Sequence, residues 1–499
     1  VNAKTLMILG TSSSVGKSLL VAALCRIYAR RGRRVLPFKA QNMSNNAAVC
    51  SGGEIGRAQA VQAYAAGVEP QVDMNPILLK PEADHRSQVI VHGRVWQTFA
   101  AGDYYRQKAA LWQAVTASLD RLRSQADLVI LEGAGSPVEL NLKAGDLVNM
   151  AMARYATAPV LLAGDIDRGG VFAQLLGTLW LLEPEERALV KGLLVNKFRG
   201  DARLFDDGLR ILRERGGVPV LGLIPYLHEH GIAEEDAVAV EESRPLAAPA
   251  AVDIAVIRLP RISNFDDFDP LALEPGVRLR YVGSPAELGQ PQAILLPGTK
   301  STLADLAWLH EQGLAAAICA HARRGAAVVG ICGGFQMLGE QVLDPQRVES
   351  GQETLPGLGL LPVTTVFQGL KATYRSQARI CGGGGFWQAL QGQAIGGYEI
   401  HMGETRQQGT ALLEIFEREG QRVEVADGAS SPDGRIFGCY LHGLFDNDAW
   451  RRAWLESLGV SGAVQDFRQR RAAAFDRLAD AVQAAIDLPL LDAIIDEGV

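Results

Sequence analysis

Cysteine is scarce and never paired. Six cysteines (Cys25, Cys50, Cys319, Cys332, Cys381, Cys439) are scattered over 499 residues with no Cys-x-x-Cys spacing, which argues against structural zinc or a disulfide framework. That usage suits a reducing compartment, so a cytoplasmic location is expected. No apolar run approaches the length that spans a bilayer, and the N-terminal residues lack the charged-then-apolar pattern of a secretory signal. Positive charge is not in excess either. The formal net charge of −7 argues against nucleic acid or an anionic membrane as the main partner, and any anionic substrate must be held by a local site. Internal repeats and long low-complexity segments are absent. The Arg/Ala-rich stretch from Phe467 to Ile486 interleaves acids, with Asp466, Asp476, Asp480 and Asp487 in and around it, so it reads as a packed helix rather than a nucleic-acid tail.

What is present starts with a loop. Gly10-Thr11-Ser12-Ser13-Ser14-Val15-Gly16-Lys17-Ser18 follows the apolar run Leu6–Leu9 and opens into residues at helical spacing, Leu19, Leu20, Ala23, Leu24 and Ile27. Strand, glycine-containing loop and helix in this order cradle a phosphate. Backbone N–H groups and the helix N-terminus face the anion, Lys17 adds a charge, and Ser18 reaches a magnesium ion. Five residues separate Gly10 from Gly16, one more than the usual pattern, and Thr11 stands at the expected glycine position. Gly10, Thr11, Gly16, Lys17 and Ser18 are therefore the expected nucleotide-binding residues.

Residues 4 to about 240 alternate strand-like and helix-like segments, which predicts an α/β domain with a parallel sheet. The expected strands are Leu6–Leu9, Val35–Phe38, Leu128–Leu131, Val160–Ala163, Leu193–Val195 and Val220–Ile224. Ligands of such sheets sit at the carboxyl ends of the strands. There stand Lys39, Gln41 and Asn42, whose ammonium and amides can hold a phosphate or a carboxylate. Glu132 closes an apolar strand where a magnesium ligand belongs, Asp165 closes another, and Asn196 follows a third, where its amide can read a nucleotide base.

The charged, then Pro/Ala-rich stretch 241–251 reads as a linker. Beyond it, the strand Ala326–Ile331 runs into Gly330-Ile331-Cys332-Gly333-Gly334, a sharp strand-to-helix turn with the small neighbours a strained nucleophile needs. A helix N-terminus favours the thiolate, which marks Cys332 as the nucleophile. Its base is expected in His442, which follows the strand-like run Arg435–Tyr440; His401 is the competitor. The oxyanion should meet the N–H of Gly333 and the turn at Gly298. Cys25 and Cys319 read as packing residues. Helices are expected over Ser301–Arg324, Ala449–Leu458 and Phe467–Ile486.

A phosphate loop joined to a cysteine amidase suggests that glutamine supplies ammonia and ATP activates a carboxylate. The motifs KAQNMS (39–44), EIGRAQ (54–59), MNPILLKP (74–81), LEGAGSP (131–137), GDIDRGGVF (164–172), NKFRGD (196–201), LPGTKST (296–302), GICGGFQMLG (330–339), GYEIHMG (397–403) and YLHGLFDND (440–448) stand in one order. Together with the variant loop they make the chain resemble the cobyric acid synthase family, glutamine-dependent amidotransferases of the cobalamin pathway, from about residue 4 to 450. The resemblance implies a dethiobiotin-synthetase-like P-loop domain (1–240), the linker, a class I glutamine amidotransferase-like domain (252–447) and a helical segment (448–499). It implies ATP and Mg²⁺ as cofactors and L-glutamine and adenosylcobyrinic a,c-diamide as substrates, with amidation at the b, d, e and g carboxylates; a homo-oligomer is compatible with it. General class I glutaminases carry Glu two residues after the histidine, where this chain has Leu444, so another group must orient His442, and Glu399 is one choice. KAQNMSNN carries amides where related diamide synthases have an aspartate. Amidation of cobyrinic acid at a and c, or of a cell-wall lipid precursor, stays open beside this reading. So does an ATP-driven switch protein with a degenerate amidase.

Overall fold

Short apolar runs without alternation form strands buried on both faces, which requires helices on either side of a parallel sheet. The first sheet follows that rule. In the computed structural model, which describes residues 2–83, 86–100, 107–227, 231–232, 251–350, 352–407, 409–460, 462 and 466–499, β1 (Lys4–Gly10), β2 (Val35–Phe38), β3 (Leu128–Glu132), β4 (Val160–Asp165), β5 (Val190–Phe198) and β6 (Val220–Pro225) stand in the order β6-β5-β4-β1-β3-β2. Every pairing is parallel. All six expected strands exist, most of them a residue or more longer than their apolar cores. The central β1 lies between β3 and β4, and Leu6 to Leu9 are at most 1% exposed. Helices α1 (Lys17–Arg30) and α2 (Arg57–Ala65) follow the loop and the KAQNMS stretch. That stretch is no simple polar turn: Gln41–Met43 forms a strand that pairs in parallel with Ile77–Leu79.

The chain divides into two units, Val1–Ser44 with Glu54–Ile232 and Arg471–Val499, and Asn45–Gly53 with Ala233–Arg470. Two features depart from contiguous domains. Residues 45–53 belong to the second unit, where the strand Ala47–Cys50 is fully buried. The chain rejoins the first unit at Arg471, so the segment 448–499 is shared: the helix Asp448–Ser457 stays in the second unit, and Leu488–Glu497 belongs to the first. In the first unit Asp487 N donates to Leu221 O (2.7 Å) beside a Gly222–Ile486 bridge, and Asp476 pairs with Arg26 at 2.8 Å. Of the interleaved acids, Asp476 and Asp480 thus pair with Arg26 and Arg30 of α1. Of the linker 241–251, all but Ala251 lies outside the described residues.

The second unit carries another parallel sheet. Strands β7 (Val252–Ile257), β8 (Val277–Val282), β9 (Ala293–Leu296) and β10 (Ala327–Ile331) join β13 (Ala429–Ser430) and β14 (Ile436–Cys439) in the order β8-β7-β9-β10-β14-β13, with β13 antiparallel. The expected helix 301–324 is two helices, Thr302–Glu311 and Leu314–Arg323, broken at Gly313, whose φ of 73° is left-handed. Between β10 and β13 lies a long antiparallel pair, β11 (Val363–Ile380) and β12 (Ala394–Gln407). Its residues are mixed in polarity, and the apolar-run criterion passed over them.

Candidate functional site

In the first unit the loop closes as a phosphate cradle. Gly16 caps α1 with a φ of 97°, and a Cβ there would run into Asn196 Nδ2. Lys17 is the first residue of α1; its Nζ donates to Ser12 O (2.9 Å) and Gly135 O (3.1 Å) and so arches back over the loop. Thr11 N donates to Ala163 O at 2.9 Å, tying the loop to the end of β4. Asn196 donates from Nδ2 to Val15 O at 2.8 Å. Its amide braces the loop.

Glu132 is the hub. Its Oε1 accepts from Ser18 Oγ (2.9 Å) and Lys39 Nζ (2.8 Å), and its Oε2 accepts from Gln62 Nε2 (2.5 Å). Burial pushes the carboxyl up, but the Lys39 ammonium and these hydrogen bonds outweigh it and hold Glu132 below its usual range. It is an anion in a dry site. Asn42 Nδ2 donates to Gln59 Oε1 at 3.1 Å, while Gln41 is half-buried on the same short strand. Asp165 does not join Glu132: its Oδ2 pairs with Lys197 Nζ at 3.0 Å, and Lys197 also donates to Ser14 O at 2.6 Å. Among the described residues no three His, Cys, Asp or Glu side chains gather as a metal cage. The donor set that fits Mg²⁺ is therefore Ser18 with Glu132, one hydroxyl and one carboxylate, the pattern of an ion whose remaining ligands are water and phosphate oxygens. Sequence reading missed Gln62 and Lys197. Gln62 lies three residues beyond Gln59 on α2 and is fully buried; that i,i+3 amide pair was the available signal.

In the second unit Cys332 sits between β10 and the helix Gly333–Leu338 with φ 54° and ψ −112°, a strained elbow. Its N–H donates to Cys439 O (2.9 Å), its carbonyl accepts from Gln336 N (3.1 Å), and its Sγ lies 3.5 Å from Ile400 O. A Cβ at Gly334 would run into Leu296 O, so only glycine lets the elbow reach the end of β9.

His442 and the oxyanion residues meet here. The position a Cβ would take on Gly298 is 3.3 Å from His442 Cε1, and that on Gly333 is 3.1 Å from Thr299 N. His442 is buried. Its Nδ1 is 2.7 Å from Asp267 Oδ2, and Asp267 Oδ1 accepts from Gly443 N at 2.8 Å. Tyr398 stacks on the ring at 4.9 Å and 9°. Burial alone lowers the imidazole's affinity for a proton; the Asp267 carboxylate and the Cys332 thiol reverse that and raise it above the usual range. His442 Nε2 has no hydrogen-bond partner among the described residues, which leaves it open for a reacting proton.

The orienting carboxylate is Asp267, not Glu399. Burial pushes Glu399 up, but His401, Arg418 and Ser376 hold it down to about 2, and Arg418 grips it with two hydrogen bonds of 2.7 Å. His401 stacks on Tyr440 at 3.8 Å, a packed arrangement. Asp267 was invisible in sequence because it lies 175 residues before His442; an acidic pair between Phe265 and Phe268, both buried, was its only mark. Cys25 is fully buried as expected, and Cys319 is half-buried with its Sγ 3.4 Å from Leu358 O.

Two family models match the chain. Residues 253–450 match the CobB/CobQ-like glutamine amidotransferase domain, and residues 6–238 match the CobQ/CobB/MinD/ParA nucleotide binding domain. A cobyric acid synthase from Chloroflexus aggregans is 57% identical over 98% of this chain and 98% of its own. Cobyric acid synthases from Chloroflexus aurantiacus (55%, 99% of each chain) and Roseiflexus castenholzii (56%, 97% of each chain) are similar to it as well. Fold and matched domains define a ligase of the glutamine amidotransferase type, with a nucleotide-binding domain ahead of its amidotransferase domain. The chain belongs to the cobyric acid synthase family. No described helix is long and apolar enough to cross a membrane.

Proposed function

We propose that this enzyme amidates the b, d, e and g carboxylates of adenosylcobyrinic a,c-diamide, using ATP and ammonia that it frees from L-glutamine at Cys332 and His442. The observation that carries the reading is the open Nε2 of a histidine fixed by Asp267 beside an elbow cysteine. Cys332 Sγ attacks the side-chain carboxamide carbon of glutamine while His442 holds the thiol proton on Nε2. The carbonyl oxygen becomes an oxyanion at the Gly333 N–H and the Gly298–Thr299 strand. His442 passes its proton to the leaving nitrogen and ammonia departs, leaving a thioester. His442 then takes a proton from water, which attacks the thioester and releases glutamate. Asp267 stays ionised, keeping the imidazolium stable and the ring aligned.

In the nucleotide-binding domain, Lys17 and the loop N–H groups hold the terminal phosphates of ATP. Ser18 and Glu132 would hold Mg²⁺, which neutralises charge on the transferring phosphate. A substrate carboxylate oxygen attacks the γ-phosphorus and ADP leaves. Ammonia then adds to the acyl phosphate carbon and inorganic phosphate departs. Lys39, paired with Glu132, brings a positive charge toward the carboxylate or phosphate. Mass spectrometry of the corrinoid product tests the reading. Four successive amide gains with ATP and glutamine are expected; gains confined to a and c on cobyrinic acid would contradict it.

A further inference from the structure

We propose that Asn46 is a positioning residue for glutamine hydrolysis, because through Asn264 it fixes the two groups, Asp267 and Tyr398, that hold the His442 ring. This rests on reading Cys332 and His442 as the glutaminase pair.

His442 is held from several sides. Asp267 grips its Nδ1 edge, Tyr398 covers one ring face, and the His442 and Tyr398 main chains exchange hydrogen bonds of 2.8 and 3.1 Å. Both side-chain supports lead to Asn264. Its φ of 53° is left-handed, a conformation that asparagine tolerates better than most residues. It opens the turn Phe265–Phe268 that carries Asp267, and its carbonyl accepts from Asp267 N at 3.2 Å. Its Nδ2 donates to Tyr398 Oη at 2.7 Å. One residue therefore sets the turn behind the carboxylate and the tilt of the stacking ring.

Asn264 is itself clamped by a distant part of the chain. Its main-chain N–H donates to Asn46 Oδ1 at 2.7 Å, and its Nδ2 also donates to Ala47 O at 2.8 Å. Asn46 and Asn264 are 4% and 2% exposed, so removing the Asn46 amide takes away the partner of a buried main-chain N–H. The clamp is rigid because the following strand, Ala47–Cys50, is buried throughout. Catalytic groups tolerate little displacement: a misplacement of about 1 Å costs on the order of a hundredfold in rate.

The test uses the full-length enzyme and measures glutamine hydrolysis beside amidation driven by ammonium salts. Asn46→Ala should lower kcat for glutamine hydrolysis by about tenfold or more, with KM for glutamine and ammonium-driven amidation each held within about twofold. Asn46→Asp keeps the accepting oxygen and should stay closer to wild type than Asn46→Ala. Tyr398→Phe, which keeps the ring but loses the hydroxyl, should lower the same kcat by about threefold or more. Unchanged hydrolysis in both Asn46→Ala and Tyr398→Phe overturns the proposal, as does an equal loss in the ammonium-driven reaction. Persistent glutamine hydrolysis in Cys332→Ser would overturn the glutaminase reading instead, whatever Asn46 does.

Discussion

The two sites hold their charges in opposite ways. Around the phosphate loop Lys17, Lys39, Ser18 and Glu132 already bind one another or the backbone, so the cradle is held together by contacts that a nucleotide must partly exchange. Around Cys332 the supporting contacts lie behind the histidine, and its reactive nitrogen is left open. In the proposed reading, the first is a binding site closed on itself and the second a catalytic pair assembled ahead of its substrate. A buried polar atom without a partner costs free energy, and His442 Nε2 is one such atom.

The sharpest way to break the comparison is Cys332→Ser. Glutamine hydrolysis should fall by about 10⁴-fold or more while ammonium-driven amidation survives; a parallel loss of both would dissolve the division between sites. Asp267→Asn comes next. Steady-state assays should show kcat for glutamine hydrolysis reduced by roughly 10²- to 10⁴-fold. Its pH profile should shift too. Asp267 favours the protonated imidazole, so the Asn variant loses that proton at lower pH and the alkaline limb moves down. Glu132→Gln should reverse the selectivity, lowering ammonium-driven amidation by about a hundredfold and sparing glutamine hydrolysis. The smallest effect concerns stability. Glu399 is held down to about 2 in the folded chain, so its contribution is present above the ordinary carboxylate pKa and is lost as pH falls toward 2. Pairing of this buried group amounts to roughly 3 kcal/mol. Arg418→Met should flatten that acid-side loss in unfolding curves recorded at successive pH values.

Legibility followed chain distance. The strand–loop–helix around Lys17 and the strand–elbow around Cys332 were readable because each is a single local turn, with its glycines, nucleophile and helix start in consecutive positions. Glu132 and Asp165 were readable as acids ending apolar strands. Only Glu132 meets Ser18 of the loop, whereas Asp165 pairs with Lys197 from the neighbouring strand β5. Asn196 was expected just past a strand and instead lies inside β5, where its amide donates to Val15 O. What stayed hidden was long-range: Asp267 on His442, Gln62 on Glu132, and Asn46 on Asn264 across 218 positions. No periodicity marks a contact made by one side chain from a loop. The strands β11 and β12 were missed for another reason, since they are half-exposed and mixed in polarity.

The most direct measurement follows the nitrogen. Full-length enzyme is incubated with ATP, the a,c-diamide corrinoid and glutamine labelled with ¹⁵N at the side-chain amide, and the product is weighed by mass spectrometry. The wild type should carry ¹⁵N in every new amide, whereas Cys332→Ser should carry none yet still gain unlabelled amides from ammonium. Labelled amides in the Cys332→Ser product would contradict the account.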